Sequence, residues 1–522
     1  MLRQQSHRRA RDRALPGAEG RVTAAQTASF SIVVPTIGRE SLHRLLAALE
    51  AESGPPPEAV VIVDDRPGDA PALTVHSGLP VTVLRSGGRG PAAARNTGWR
   101  ATRTRWVCFV DDDVVPQPGW LAALAADLRG ADTTGAAGTQ AVIEVPSVEG
   151  RRATDDEKRT QRLADARWIT ADMAYRRDVL VAVGGFDERF PRAYREDSDI
   201  ALRITLQGNE ITQGARRSTH PVAPASLLSS VRAQIGNRDN ALMRRKFGRR
   251  WRPAVGEGRG RLPAHTATTA AAAVATVAAL AGRRRAAAGA AATWLGLTLE
   301  FTARRFLAGP RTAPEAARML LTSALIPPVA MYHRLRGEWA FRGARRDPPL
   351  AVLLDRDDTI IVDGPYLNDP AGVKPMPGAV DALSRLRDRG LLLAVVTNQS
   401  GVAKGLITDE QLAAVNARVD AELGPFDSWQ ICVHDNDDGC ACRKPAPGMV
   451  RAAAEALGVD PARCVMIGDT GGDVNAALSA RADAVLVPTE RTLRHEISDA
   501  STRARVAATI EDAVEMILRD TR

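Results

Sequence analysis

Three of the chain's five cysteines and one of its eight histidines fall within eleven residues, Cys432 to Cys442. The order is Cys432-x-His434, five residues, then Cys440-x-Cys442. Three thiolates and one imidazole make the ligand set of a closed tetrahedral zinc site, and no position is left open for a substrate, so the expected role is structural. A loop this short with a histidine inside it is a poor disulfide framework. It runs directly into Arg443-Lys444-Pro445, so whatever the metal rigidifies also aims two cations.

The same half of the chain places polar clusters at the ends of apolar runs. Leu350 to Leu354 reads as a buried strand ending in Asp355-Arg356-Asp357-Asp358-Thr359. Leu391 to Val396 ends in Thr397-Asn398-Gln399-Ser400-Gly401, and Cys464 to Gly468 ends in Asp469-Thr470-Gly471-Gly472-Asp473. In a parallel α/β sheet these ends converge on one crevice. A carboxylate there, Asp355, can attack phosphorus, and Asp357 can protonate the leaving alkoxide and then activate water. Asp469 joins Asp355 and Asp357 in an expected Mg²⁺ site, without which a carboxylate would not approach a phosphate dianion. Thr397 and Asn398 offer hydrogen bonds, and Lys444 a point charge, to phosphoryl oxygens.

This set, DxD then Thr then Lys then GDxxxD, resembles the haloacid dehalogenase-like phosphatases. With LDRDxT, TNQSGxAxG, the C-x-H-x5-C-x-C loop and CRKPxPGM, it is similar to the heptose 1,7-bisphosphate and histidinol-phosphate phosphatases of that superfamily over about residues 350 to 495. The resemblance implies removal of one phosphate from a sugar bisphosphate, the 7-phosphate of D-glycero-D-manno-heptose 1,7-bisphosphate. Histidinol phosphate or another small phosphomonoester is the alternative. Arg443, Gln399 and Ser400 would then meet substrate. Two positions depart from the family pattern: Asp358 stands where Gly is usual, and Thr470 where Lys is common. They leave open a further alternative, in which one half of the chain is a catalytically silent binding module.

A second series of strand ends lies upstream. Ser29 to Thr36 is an apolar run ended by Pro35-Thr36; Ala59 to Val63 ends in Asp64-Asp65; Trp106 to Val110 ends in Asp111-Asp112-Asp113. Helical stretches such as Ser41 to Glu50 alternate with them, the pattern of a doubly wound α/β sheet. Three adjacent carboxylates at a strand end call for a hard divalent cation, Mg²⁺ or Mn²⁺, which can bridge a diphosphate. Downstream come Gly184-Gly185-Phe186-Asp187-Glu188 and Glu196-Asp197.

The VVPT and VDD strand ends, Ala94-Arg95-Asn96-x-Gly98, the DDD and the GGFDE…ED pair resemble the inverting family-2 (GT-A) glycosyltransferases over about residues 30 to 220. The resemblance implies that Pro35, Thr36, Asp64 and Asp65 border the nucleotide, that Asp111 and Asp113 hold the metal on the donor diphosphate, and that Asp197 is the general base. Arg95 either meets phosphate or pairs with a carboxylate. His220 is either a further metal ligand or a loop residue.

At 522 residues the chain exceeds one core. Four segments are expected: a disordered basic arm over 1–28, a GT-A domain over 29–250, an Ala/Arg-rich helical region and linker over 251–348, and the phosphatase domain with its zinc loop over 349–522. Beyond Thr489 the phosphatase segment reads as charged helix. In the middle region, Thr266 to Gly282, Ala286 to Leu299 and Met319 to Met331 are uncharged runs, the last interrupted by Pro327-Pro328. They are short for spanning helices. They suit either a membrane-associated hairpin or a bundle in water. The flanking Arg304, Arg305, Arg311, Arg318, Arg334 and Arg336 favour contact with anionic headgroups. The reading is therefore a cytoplasmic enzyme, at the inner face of the membrane where this region touches it. Its partners are a sugar phosphate, a nucleotide-sugar donor and a glycan or lipid-linked acceptor. A net charge of +9 with only 4% aromatic residues and no basic–aromatic interleaving speaks against nucleic acid.

Overall fold

The computed structural model describes residues 28–521 apart from 148, 223–225, 345, 346, 363 and 365. Nearly all of the expected basic arm, and part of the linker before the second half, lie outside the described residues.

The first sheet has eight strands: β1 (Phe30–Thr36), β2 (Ala59–Asp64), β3 (Val81–Arg85), β4 (Trp106–Val110), β5 (Val115–Pro116), β6 (Gly138–Glu144), β7 (Asp172–Arg176) and β8 (Ile211–Thr219). Their order is β3-β2-β1-β4-β7-β6-β8-β5. Pairing is parallel through β3, β2, β1 and β4, whereas β7 runs antiparallel to both neighbours. The sheet is therefore mixed, and only its first half follows the doubly wound pattern. Every residue of β1 is buried, which is why it reads as an unbroken apolar run rather than an alternating one. Pro35 lies within the strand, opposite Val63, and does not end it.

The second sheet has six strands, all parallel: β9 (Ala351–Leu354), β10 (Leu392–Asn398), β11 (Ser428–Cys432), β12 (Cys464–Gly468), β13 (Asp483–Leu486) and β14 (Arg505–Val506). Their order is β11-β10-β9-β12-β13-β14. In each sheet the chain starts in the middle, winds out to one side and returns to the other. The switch points fall between β1 and β4 and between β9 and β12, where a parallel sheet opens a crevice at its carboxyl end.

Two glycines explain how the motifs reach those crevices. A Cβ at Gly98 would lie 2.3 Å from Val33 Cγ1 and 3.1 Å from Val63 Cγ2. Helix Pro91–Ala101 thus packs hard on β1 and β2 and carries Arg95 and Asn96 to the strand ends. A Cβ at Gly468 would lie 2.3 Å from Asp473 Cγ, so glycine there makes room for that carboxylate.

Three long helices, Leu262–Leu280, Arg284–Ala308 and Ala313–Ala340, pack on one another between the sheets in sequence, and the third also packs on Gly236–Phe247. The break expected at Pro327-Pro328 does not occur; both prolines sit inside one continuous helix. Among the described residues no helix is long and apolar enough to cross a membrane. Several arginines assigned above to lipid headgroups face protein instead. Arg305 pairs with Asp155 at 2.7 Å and donates to Thr322 and Ser323, Arg318 pairs with Asp156, and Arg334 pairs with Glu338 at 2.6 Å. Beyond Thr489 the chain is more than charged helix. Helix Arg494–Arg503 leads into edge strand β14, and helix Ile510–Asp520 buries Ile510, Ala513, Val514, Ile517 and Leu518.

Candidate active sites

The C-terminal crevice is built around a buried lysine. Lys444 Nζ lies 2.9 Å from Asp355 Oδ1 and 2.6 Å from Asp473 Oδ1, and it donates to the Val396 carbonyl at 2.9 Å. Burial alone would lower the Lys444 pKa; the two carboxylates reverse this and raise it. Burial pushes the Asp355 carboxyl well above the usual carboxylate range, Lys444 opposing it and Asp473 adding to it. Burial, then Asp473, raises Asp469 to about 7. Carboxylate oxygens of Asp355, Asp469 and Asp473 all lie within 4.8 Å of one another. One lysine cannot neutralise three clustered acids, so the donor set fits a hard divalent cation.

Asp357 stands apart from that group. Arg356 donates to its Oδ1 at 2.9 Å and Gln399 to its Oδ2 at 2.6 Å. The third carboxylate is Asp473, held at the first turn of helix Gly471–Ser479, where Thr470 caps through a 2.6 Å hydrogen bond to it. Sequence reasoning saw Asp473 in its cluster and gave it no role, although the GDxxxD spacing was the available signal. Thr397 Oγ1 accepts from Gln399 at 3.0 Å. Asn398 exchanges two hydrogen bonds with the Lys444 backbone, at 3.1 and 3.3 Å, which fixes the lysine's entry into the site. Ser400 follows at the rim, half-buried.

Beside this crevice the sulfurs of Cys432, Cys440 and Cys442 and Nδ1 of His434 cluster. Cys442 Sγ is 3.3 Å from both Cys432 Sγ and His434 Nδ1, and Cys432 Sγ is 3.6 Å from His434 Nδ1 and 3.7 Å from Cys440 Sγ. Ligands at about 2.0–2.3 Å from a tetrahedral zinc stand roughly 3.3–3.8 Å apart, so the four atoms fit that ion. All five cysteines are free thiols. Arg443, next in sequence, donates to Asn436 at 2.8 Å and to the His434 carbonyl at 3.1 Å, binding it to the loop.

Asp358 has φ +51, in the left-handed region. Its carboxylate meets Arg491, 60% exposed, at 3.4 Å and helps raise the Asp469 pKa. An exposed pair of this kind contributes little, whereas a left-handed non-glycine residue costs roughly 1 kcal/mol. Asp358→Gly is therefore expected to raise stability by up to about 1 kcal/mol and to lower KM for a phosphate ester. Denaturant unfolding and steady-state phosphate release check the two effects.

The N-terminal crevice is more fully ion-paired. Asp64, the last residue of β2, is held by Arg66 at 2.8 Å, and that bond keeps it below the usual carboxylate range. Asp65 accepts from Ser86 at 2.7 Å and from the Gly90 amide at 2.9 Å, and burial raises its pKa. Thr36 donates to Asp112 at 2.6 Å, so the middle acid of the DDD turns inward while Asp111 and Asp113 stay partly exposed. Arg95, fully buried, bridges Asp111 at 2.7 Å and Glu196 at 2.9 Å; of its two readings the carboxylate pair is the one present. Arg39 reaches Asp113 at 3.0 Å, and His220 Nε2 lies 3.9 Å from the same residue. Among the described residues no third His, Cys, Asp or Glu joins Asp111 and Asp113 in a tight metal-ligand group; a cation there would draw further oxygens from a diphosphate. Burial and Asp197 push Glu196 up to about 8, and burial raises Asp197. Arg39 and the Arg95–Glu196 bridge were missed from sequence, because their partners lie 73 to 101 residues away.

Two α/β units, each with converging acids at its switch point, define a phosphatase and a glycosyltransferase carried on one chain. Residues 31–186 match the glycosyl transferase family 2 model, and residues 260–481 match that of the haloacid dehalogenase-like hydrolases. A D-glycero-beta-D-manno-heptose-1,7-bisphosphate 7-phosphatase from Pseudomonas putida is 40% identical over 156 residues, covering 28% of this chain and 89% of the relative. The protein of that name from Escherichia coli K12 is 35% identical over 163 residues, covering 29% and 85%. A solved D,D-heptose 1.7-bisphosphate phosphatase from B. bronchiseptica, complexed with magnesium and phosphate, shares 30% identity over 33% of this chain and 99% of that one, with a TM-score of 0.30. The chain belongs to the haloacid dehalogenase-like hydrolases and carries a family 2 glycosyltransferase domain at its N-terminus.

Proposed function

We propose that the C-terminal half removes the 7-phosphate of D-glycero-D-manno-heptose 1,7-bisphosphate and that the N-terminal half is a metal-dependent inverting glycosyltransferase. The observation that carries the first part is Lys444, seated between Asp355 and Asp473 at the end of the four-ligand loop. Asp355 attacks phosphorus, the sugar oxygen leaves with a proton from Asp357, and an aspartyl-phosphate forms. Asp357 then takes a proton from water as it attacks phosphorus, releasing phosphate and restoring Asp355. Lys444 stabilises charge on the phosphoryl oxygens throughout. Gln399 and Arg356 hold Asp357 in position for both proton transfers. Asp355, Asp469 and Asp473 would hold Mg²⁺, which screens the acids from the phosphate dianion. Cys432, His434, Cys440 and Cys442 would hold Zn²⁺, fixing Arg443 against the substrate. Identity to heptose bisphosphate phosphatases supports the choice of substrate. The test is competition between that bisphosphate and histidinol phosphate; the bisphosphate is expected to have the higher kcat/KM.

In the N-terminal half a nucleotide-sugar would lie with its base and ribose near Pro35, Thr36, Asp64 and Asp65. Asp111 and Asp113 would hold Mg²⁺ or Mn²⁺ on its diphosphate, and Arg95 keeps Asp111 in place. Asp197 would take the proton of an acceptor hydroxyl, on a glycan or a lipid-linked sugar, as that oxygen attacks the anomeric carbon. Exposed apolar side chains on the middle helices, among them Val277, Leu280 and Leu299, support association with the inner face of the membrane. Asp197→Asn is expected to slow sugar transfer by roughly 10²–10⁴-fold with phosphate release unchanged. Radiolabelled-donor transfer and phosphate release from one preparation check this.

A further inference from the structure

The phosphatase half meets the transferase half with the amino ends of its strands. Leu350 precedes β9, Gly390 and Leu391 precede β10, and Arg463 precedes β12; these residues face Asn96, Arg100 and the segment Gly184 to Glu188. The phosphatase crevice is at the opposite edge, about 13 Å away for a four-residue strand. The phosphatase crevice thus lies away from this contact, which calls for an explanation other than direct transfer of product.

The surface it touches is the loop leading to Glu196 and Asp197. Gly184 and Gly185 both have positive φ. A Cβ at Gly184 would lie 2.0 Å from Leu350 Cδ2, so the phosphatase half closes the space beside a residue whose φ already favours glycine. Arg463 donates to the Val183 carbonyl at 3.2 Å and to the Pro348 carbonyl at 2.7 Å. Arg203, on the same helix as Asp197, donates to that Val183 carbonyl at 2.6 Å, to the Gly185 carbonyl at 2.7 Å and to Asp199 at 2.8 Å. On the loop's other side Asn96 bonds to the Phe186 amide and carbonyl, each at 2.9 Å. A single backbone carbonyl is thus shared by an arginine from each half, and the loop lies clamped between helix Pro91–Ala101 and the phosphatase.

We propose that the phosphatase half serves as a positioning element for sugar transfer: Arg463 and Leu350 fix the 183–188 loop and, through Arg203, the helix that bears Glu196 and Asp197. This rests on the reading of that helix as the base-bearing element. The test uses the full chain. Arg463→Met is expected to accelerate amide hydrogen exchange at least 10-fold in peptides spanning 183–199, with the rest of the first sheet unchanged and p-nitrophenyl phosphate hydrolysis within twofold. With a donor that the unaltered chain turns over from a panel of UDP-, GDP-, ADP- and dTDP-sugars, transfer kcat should fall about 10-fold at constant donor KM. Arg463→Lys should recover part of both effects. Leu350→Ala should reproduce the exchange change without removing a charge. Exchange unchanged over 183–199, or faster across the whole sheet, overturns the proposal. Should Asp197→Asn leave transfer intact, the base assignment fails while the exchange result stands.

Discussion

Asp355→Asn is expected to abolish phosphate release while the chain stays folded. Asparagine fills the same space, and Lys444 keeps its 2.6 Å partner Asp473, so no buried cation is stranded. The amide cannot form an acyl phosphate, and the rate should fall by at least about 10³-fold, equivalent to roughly 4 kcal/mol of barrier. Lys444→Met behaves differently. It removes the cation that lies between Asp355 and Asp473 and leaves buried acids uncompensated, at a cost of roughly 3–5 kcal/mol. Phosphate release and near-ultraviolet circular dichroism on both variants separate loss of chemistry from loss of structure. A less than 10-fold fall for Asp355→Asn would mean that another group attacks phosphorus.

Cys442→Ser is expected to cost both stability and turnover. Cys442 Sγ touches two other ligand atoms at 3.3 Å, and Arg443 and Lys444 follow it directly. Zinc binding to small structural sites is worth roughly 10–16 kcal/mol. If only about 3 kcal/mol of this is felt by the folded phosphatase half, its unfolding midpoint drops by about 6–12 °C. Chelation of the unaltered chain should do the same. Atomic absorption is expected to find one zinc per chain before either treatment and none after. The release rate should fall with it, because Lys444 enters the site from that loop. Normal turnover in a zinc-free chain would contradict this coupling.

Strand ends were legible in the sequence because a buried parallel strand is a run of apolar residues, and its polar terminus is abrupt. The runs before Asp355, Thr397, Asp469 and Asp111 all became strands of the expected extent to within a residue or two. The convergence of Cys432, His434, Cys440 and Cys442 was legible because all four are local. What stayed hidden depends on residues far apart in the chain. The antiparallel insertion of β7 follows from pairing with β4 across more than sixty residues. The inward turn of Arg305 and Arg318 depends on Asp155 and Asp156, some 150 residues away, so composition alone assigned those side chains to lipid. The contact of Arg463 with Val183 spans 280 residues, and no periodicity encodes it. Asp473 was signalled by the GDxxxD spacing; Asp357 was expected among the ligands from its spacing to Asp355, but Arg356 and Gln399 decide where it points.

The most direct test is phosphate release by the full chain, with Mg²⁺ and zinc, from D-glycero-D-manno-heptose 1,7-bisphosphate, followed by ³¹P NMR. One equivalent of phosphate released, a surviving 1-phosphate resonance and no reaction with Asp355→Asn are expected. Loss of the 1-phosphate, or a folded, zinc-loaded chain that releases nothing, would contradict the proposed reaction.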